Sequence, residues 1–343
     1  MVYRSCKGLE ENNLFFHGDL DRGSNVINYC CTSDEAGLIG IDVCEDPELT
    51  IMNYMARKKE IIGESMKIAA TGRPSSPENK YHAVCARCPI FHEDDWPCGE
   101  DDLIRYILFG LKPSPCQSRC IYCSQRLEKR RKFDNAVDAA AYDLVFKTIE
   151  YATQAGLVAD DVLWEFGSGE ITVHPFRDRL YDIVGNSAAS WLTNCFIFDK
   201  RIAANMKRNP ASSMMLSLDA GTPETWLKIK GRDNFDAVTD NLVKYYAEVS
   251  HSGQIILKYL LMPGINDNIE DFVSFVEIAK VLESPLVVLS KDRWAQTTEG
   301  HLESASILVA LLVEKLIRVV FSLYSKPERS KIITSAEALI AGK

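Results

Sequence analysis

No stretch of this chain stays apolar for long. The most hydrophobic segment, SASILVALLVEKLIRVVFSL, runs ten uncharged residues before Glu314, Lys315 and Arg318 interrupt it. A helix that spans a bilayer needs about 20, so this segment reads as a buried or amphipathic helix. The first residues, MVYRSCKGLEENN, are polar and carry no charged-then-apolar leader. A basic excess is lacking too. With 39 Lys+Arg against 48 Asp+Glu, the net charge is −9, which excludes a general nucleic-acid binder with a basic face. The local run RLEKRRK (126–132) reads as a solvated surface, and no fixed-period repeat is present. The expectation is a cytoplasmic protein that engages neither membrane nor nucleic acid.

Cysteine is scarce over most of the length and crowded elsewhere. Of eleven cysteines, seven precede residue 100 (Cys6, Cys30, Cys31, Cys44, Cys85, Cys88, Cys98), three lie in PSPCQSRCIYCSQ, and Cys195 follows alone. Disulfides are rare in the cytoplasm, so crowded thiols there point to metal.

Beyond about residue 100, apolar runs alternate with polar, helix-like segments. The runs cover 103–111, 161–169, 190–198, 212–220, 254–262 and 285–290, and the helices 134–154, 176–188, 202–208, 223–250 and 269–282. Continuous apolar strands separated by helices indicate a parallel sheet covered by helices. Six such units predict an α/β fold, a partial (β/α)6 TIM-like barrel two units short of eight. Polar and glycine residues at the strands' C-terminal ends are where a parallel barrel builds its site. The expected organisation is a cysteine-rich metal domain over 1–100, the barrel over 101–295, and a helical extension over 296–343. Within the first segment, NLFFHGDLDRGSNVINYCC reads as strand, turn and strand, and LTIMNYMARKKEIIGESMKIAA as a helix.

Cys116, Cys120 and Cys123 form a Cys-x3-Cys-x2-Cys arrangement. Three thiolates on a four-iron cube leave one iron open to chemistry. A structural zinc wants a fourth cysteine or histidine, and none follows within fifty residues. CQSRCIYC, with an aromatic before its last cysteine and directly after a strand, resembles the signature of the radical SAM superfamily. That resemblance implies that the open iron of a [4Fe–4S] cluster chelates S-adenosylmethionine. An electron from the cluster then cleaves the cofactor to a 5′-deoxyadenosyl radical, which abstracts hydrogen from the substrate.

Four later segments resemble the family's motifs in order. WEFGSGEITVHP is similar to the Gly-Gly-Glu motif, which implies that the backbone of Gly167, Ser168 and Gly169 and the carboxylate of Glu170 receive the cofactor's ammonium group. LTNCFIF resembles Thr-Asn-Gly, placing Asn194 at the cofactor and Cys195 in the glycine position as a small buried residue. MLSLDAGTPETWLKIKG places Ser217 and Asp219 near ribose or carboxylate, and LKYLLMPGINDNIEDF places Lys258 inward. By the same resemblance, Tyr122 lies against the adenine. LSKDRWAQTT ends the sixth strand, which puts Lys291, Asp292, Arg293 and Trp294 on the substrate side. A methyl-transfer reading would use Cys195.

The N-terminal order of Cys6, hairpin, Cys30 and then Cys-x2-Cys (Cys85, Cys88) is similar to a SPASM or twitch auxiliary-cluster domain. Here the segment precedes the barrel, whereas those domains follow it. It implies a second [4Fe–4S] cluster on Cys6, Cys30, Cys85 and Cys88, with Cys31 as substitute for Cys30 and Cys98 and Cys44 in reserve. A structural zinc on the same thiolates stays open. The substrate expectation is a peptide or a carbohydrate-derived molecule, with a one-electron donor such as a flavodoxin or ferredoxin. The alternatives are an activase for a glycyl-radical enzyme, acting on a protein partner, and a non-catalytic zinc or iron–sulfur scaffold.

Overall fold

The computed structural model describes residues 3–5, 12–18, 20, 23, 25–29, 40–71, 92–94, 102–127, 131–283, 286–292 and 296–342. The chain divides into two compact units, Met1–Ser114 with Arg131–Gly169, and Pro115–Arg130 with Glu170–Lys343.

In the first unit, β1 (Tyr3–Ser5) pairs antiparallel with β5 (His92–Asp94). Strands β2 (Asn13–Phe16), β3 (Val26–Asn28), β4 (Ile41–Asp42), β6 (Ile104–Phe109) and β7 (Val158–Phe166) lie in the order β7-β6-β2-β3-β4. Helices α1 (Pro47–Thr71) and α2 (Asn135–Gln154) complete the unit. The expected hairpin is present, since β2 and β3 pair antiparallel with Phe16 opposite Ile27. The hairpin also extends the sheet, because β2 runs parallel to β6 with Phe15 opposite Leu108. The chain therefore does not divide near residue 100, and β6 and β7 share a unit with the N-terminal hairpin.

Aromatic packing explains this. Phe109 on β6 stands 5.7 Å from the Phe146 ring and 5.8 Å from the Tyr142 ring of α2, and 6.3 Å from Phe16 on β2. Tyr54 of α1 stacks on Tyr29 at 4.7 Å and donates its hydroxyl to the Asn13 carbonyl at 2.8 Å. Cys6, Cys30, Cys31, Cys85, Cys88 and Cys98 lie outside the described residues, and with them the expected auxiliary cluster. Cys44 is described, half-buried and free, with its sulfur 3.1 Å from the Thr50 hydroxyl.

The second unit is regular β/α alternation. It runs α3 (Arg177–Val184), β8 (Ala188–Thr193), α4 (Lys200–Arg208), β9 (Ser213–Ser217), α5 (Pro223–Lys230), α6 (Phe235–Glu248), β10 (Ile255–Leu261), α7 (Ile269–Val281), β11 (Leu286–Lys291), α8 (Glu299–Glu314), β12 (Arg318–Ser322) and α9 (Lys326–Ala341). The five strands follow sequence order, and their registered pairings are parallel. Trp191, Met214, Leu216, Leu257, Tyr259 and Leu289 are buried on one face. Leu192, Met215, Ile256 and Leu286, which alternate with them, are only half-buried. One face is thus sealed and the other partly accessible, as side chains at alternate strand positions require.

Two expectations need correction. The segment 223–250 is two helices, because Gly231 takes a left-handed φ of 63° and ends α5. The C-terminal segment is not all helical. Leu316, at φ 60°, turns the chain out of α8, and the β-branched run Val319–Val320 forms β12 parallel to β11. A further strand therefore extends the six β/α units counted from sequence. Among the described residues, no helix is long and apolar enough to cross a membrane.

Lys291 ties this last strand–helix pair to the sheet. Its ammonium donates to Glu328 at 2.7 Å and to the Thr297 hydroxyl at 2.6 Å. Burial alone would raise the Glu328 carboxyl, but bonds from Lys291, Thr297 and Ser325 outweigh it and hold it at about 2. A depressed carboxyl contributes stability above its ordinary value and loses it as pH falls toward the folded value. Acid unfolding is therefore expected to steepen between 4.5 and about 2, and Glu328→Gln to flatten that limb in a series of urea melts.

Candidate functional site

The cysteine loop is fastened to the end of α5. Arg119 N–H donates to the Lys230 carbonyl at 2.9 Å and Ile121 N–H to the Ile229 carbonyl at 3.0 Å. Arg232 Nε donates to the Gln117 carbonyl at 2.9 Å. A β-carbon on Gly231 would stand 3.0 Å from Cβ of Arg119, so glycine at that position lets helix and loop approach. Cys123 starts a one-turn helix, Ser124–Leu127, accepting from Arg126 and Leu127 N–H at 3.0 and 2.9 Å. Ile121 and Tyr122 pack on Ile229, Leu260 and Met262.

Beneath the loop lies a buried ion pair. Lys230 Nζ stands 2.5 Å from Asp219 Oδ2, with side chains 2% and 0% exposed. It also donates to Tyr122 Oη at 2.8 Å, and that hydroxyl donates to Asp219 Oδ2 at 2.5 Å. Asp219 Oδ1 accepts Leu260 N–H at 2.7 Å. Asp219 itself sits at φ 57° at the end of β9, held by Asn266 Nδ2 donating to its carbonyl at 2.8 Å. The expectation that Asp219 reaches ribose or carboxylate therefore meets a carboxylate already occupied by a cation, a phenol and a backbone amide. It orders the loop through Tyr122 and Lys230. Sequence reading missed Lys230, although a lysine one residue after Ile229 and four after Trp226, both buried, marks a cation on an apolar helix face.

A second clamp holds the other side. Glu170 is fully buried, and its N–H donates to the Pro115 carbonyl at 2.8 Å. Its Oε1 accepts from Thr172 N–H at 3.2 Å, Thr172 Oγ1 at 2.7 Å and Thr193 Oγ1 at 2.9 Å, and its Oε2 from Asn194 N–H at 2.6 Å. Burial raises its carboxyl, while these bonds act the other way. A carboxylate offers about four acceptor sites, two on each oxygen; three donors crowd Oε1, and Oε2 takes only the Asn194 N–H. Glu170 therefore secures the end of β8 chiefly through Oε1, and Oε2 is the oxygen with an acceptor site left for the expected ammonium. In Glu170→Gln an amide donor would face Asn194 N–H. The expected cost is about 1–3 kcal/mol, read from urea unfolding of the protein before cluster loading.

Asn194 completes the clamp. Its Oδ1 accepts Phe196 N–H at 3.0 Å and Gln117 Nε2 at 3.4 Å, and its Nδ2 stands 3.8 Å from Cys116 Sγ. Cys195 has φ 60° and is fully buried, so the glycine position of the motif does demand a left-handed backbone. Burial raises its thiol far above the usual value, which leaves almost no thiolate for methyl transfer.

Ser217 and Lys258 are cross-strand neighbours of β9 and β10, both half-buried on the less-covered face. Among the described residues, Lys258 Nζ has no hydrogen-bond or ion-pair partner. Lys291, expected on the substrate side, is instead held by Glu328, and Arg293 and Trp294 lie outside the described residues. In the first unit, Gly167 N–H donates to the Phe109 carbonyl at 3.1 Å and the Ser114 hydroxyl to the Ser168 carbonyl at 3.0 Å. Gly169 takes φ 69°, a value glycine adopts without strain. On β7, two residues before this turn, Glu165 accepts the Tyr106 hydroxyl.

The thiols fit an iron–sulfur cluster. Cys116, Cys120 and Cys123 are free, and the Ser118 hydroxyl lies 3.0 Å from Cys120 Sγ. Cys116 is exposed; its thiol lies above the usual range, at about 11, so metal binding must displace its proton. Beside it, Gln117 Oε1 is buried without a partner among the described residues. Among those residues, no three His, Cys, Asp or Glu side chains gather as one metal ion would require; cluster thiolates bind separate irons.

Residues 115–276 match the family model of the Radical SAM superfamily. The match covers just under half of the chain; it supports an enzyme of this class, and the family implies a [4Fe–4S] cluster and S-adenosylmethionine. None of the curated proteins matches the chain. Among solved structures, it is similar to Streptococcus suis SuiB bound to S-adenosylmethionine, with TM-score 0.47, 10% identity and coverage of 82% of this chain and 58% of that one. It is also similar to a radical SAM methyltransferase from Sphaerobacter thermophilus, with TM-score 0.42, 17% identity and coverage of 63% and 66%. A domain of pyruvate-formate lyase-activating enzyme from Bacteroides vulgatus matches with TM-score 0.36, 14% identity and coverage of 46% and 97%. The chain thus spans less than two thirds of the length of SuiB and of the methyltransferase.

Proposed function

We propose that this radical SAM domain holds its cluster on Cys116, Cys120 and Cys123 and abstracts hydrogen from a peptide or carbohydrate-derived substrate. When bound, the cluster and S-adenosylmethionine supply a 5′-deoxyadenosyl radical. The observation that carries the reading is three free thiols on one loop, fixed to α5 and to the Glu170–Asn194 clamp, inside the segment that matches the family.

Each neighbouring group has a part in this reading. Lys230 and Asp219 hold Tyr122, and with it the loop, against β9 and β10. The Gln117 side-chain carbonyl is an open acceptor beside Cys116, suited to an ammonium group. Ser217 presents a hydroxyl to the ribose, and Lys258 a free cation to the cofactor's carboxylate. The half-buried apolar row Leu192, Met215, Ile256 and Leu286 keeps water from that face. Cys6, Cys30, Cys85 and Cys88 hold a second cluster in this proposal, and a flavodoxin or ferredoxin delivers the electron.

The test is anaerobic reconstitution with iron and sulfide, reduction, addition of S-adenosylmethionine, and chromatography for 5′-deoxyadenosine with and without candidate peptides and sugars. Deoxyadenosine whose yield rises with one substrate class supports the reading and names the class. A fully loaded, reducible protein that forms none with any candidate, yet leaves a stable radical on a protein partner, replaces it with the activase alternative.

A further inference from the structure

Asn194 is held from three directions, and the grip fixes which end of its amide meets sulfur. Its backbone N–H is bound by Glu170 Oε2 at 2.6 Å. Its Oδ1 faces the backbone N–H of Phe196 at 3.0 Å. A backbone N–H can only donate, so the oxygen of the amide must point there, and the usual ambiguity between amide oxygen and nitrogen is removed. Gln117 Nε2 adds a second donor to the same oxygen at 3.4 Å. The NH2 end is thereby turned to Cys116 Sγ at 3.8 Å, within reach of the large, diffuse sulfur acceptor.

We propose that Asn194 is a positioning residue for electron transfer, its amide N–H donating to the Cys116 thiolate and raising the reduction potential of the cluster that this thiolate ligates. The proposal rests on the cluster assignment above. Hydrogen bonds to cluster sulfurs are among the features that set the potential. A donor withdraws charge from the sulfur and favours the reduced, more negative state. Reduction adds one electron from a low-potential one-electron donor, with no bond broken and no proton moved. Glu170 enters the same device one step back, because its carboxylate holds the backbone from which the amide projects.

The test compares wild type, Asn194→Ala and Asn194→Asp, each reconstituted, counted for iron, and titrated with dithionite and mediators while the reduced cluster is followed by electron paramagnetic resonance. No S-adenosylmethionine is added. Aspartate keeps an acceptor for Phe196 N–H and removes the donor; alanine removes both. The expected result is a fall of about tenfold in the equilibrium constant for reduction in Asn194→Ala, about 59 mV for a one-electron couple, and at least as much in Asn194→Asp. A fully loaded Asn194→Ala with wild-type potential overturns the proposal. A wild type that holds no cluster overturns the assignment beneath it. If neither variant loads, wild type labelled with 15N in the asparagine side chain is measured by pulsed resonance. Nitrogen coupling to the reduced cluster is then expected, and its absence overturns the proposal.

Discussion

Cys120→Ala is expected to reduce 5′-deoxyadenosine formation to background and to remove about four irons per chain, one cube's worth. The substitution takes away one of three ligands, and the hydroxyl of Ser118, 3.0 Å from that sulfur, is a poor replacement for a thiolate. The fold should survive. The loop is fastened by the backbone N–H groups of Arg119 and Ile121 and by the Arg232 side chain, none of which uses the Cys120 sulfur. Stability before cluster loading is expected to change by no more than about 0.5 kcal/mol, the usual range for a half-exposed substitution. Iron analysis and urea melts on the same samples separate loss of metal from loss of fold. About four irons retained would support a second cluster on the N-terminal cysteines.

Lys230→Met is expected to be the most damaging substitution for stability, at about 3–5 kcal/mol. Methionine fits the space but leaves Asp219, which is fully buried, without its cation. The Tyr122 hydroxyl and Leu260 N–H remain as donors to it, too little to replace a full charge. Two consequences separate this from ordinary core damage. Adding Asp219→Asn should recover at least half of the loss, because the orphaned charge is then gone. Cluster loading should fall along with stability, because the Lys230 ammonium also donates to Tyr122, which sits between Cys120 and Cys123 on the loop. A cost below about 1 kcal/mol, smaller than a single buried unpaired group imposes, would contradict the buried pair.

Much of this arrangement was legible in the residues. The apolar runs located β6 to β11 because parallel strands flanked by helices are apolar throughout. Of the residues the ordered motifs singled out, Asn194 and Ser217 fall at the ends of β8 and β9, and Lys258 lies mid-strand in β10. Other features depend on tertiary contacts that sequence spacing does not encode. VEKLIRVVFSL reads as helix until Leu316 adopts a left-handed backbone, after which β11 pairs with the following residues. Glu170 and Asp219 look like free carboxylates at strand ends. Whether a carboxylate faces a ligand or its own scaffold depends on which donors the fold brings to it, here Thr193, Asn194 and Lys230. The N-terminal hairpin was visible, but its parallel pairing with β6 joins segments about ninety residues apart, which local pattern cannot predict.

The most direct measurement of the central claim is the paramagnetic resonance spectrum of the reduced wild-type protein before and after S-adenosylmethionine is added. The account predicts a [4Fe–4S] signal that changes in shape on addition, because the cofactor takes the iron that Cys116, Cys120 and Cys123 leave open. A cluster signal that stays the same at saturating cofactor would contradict it.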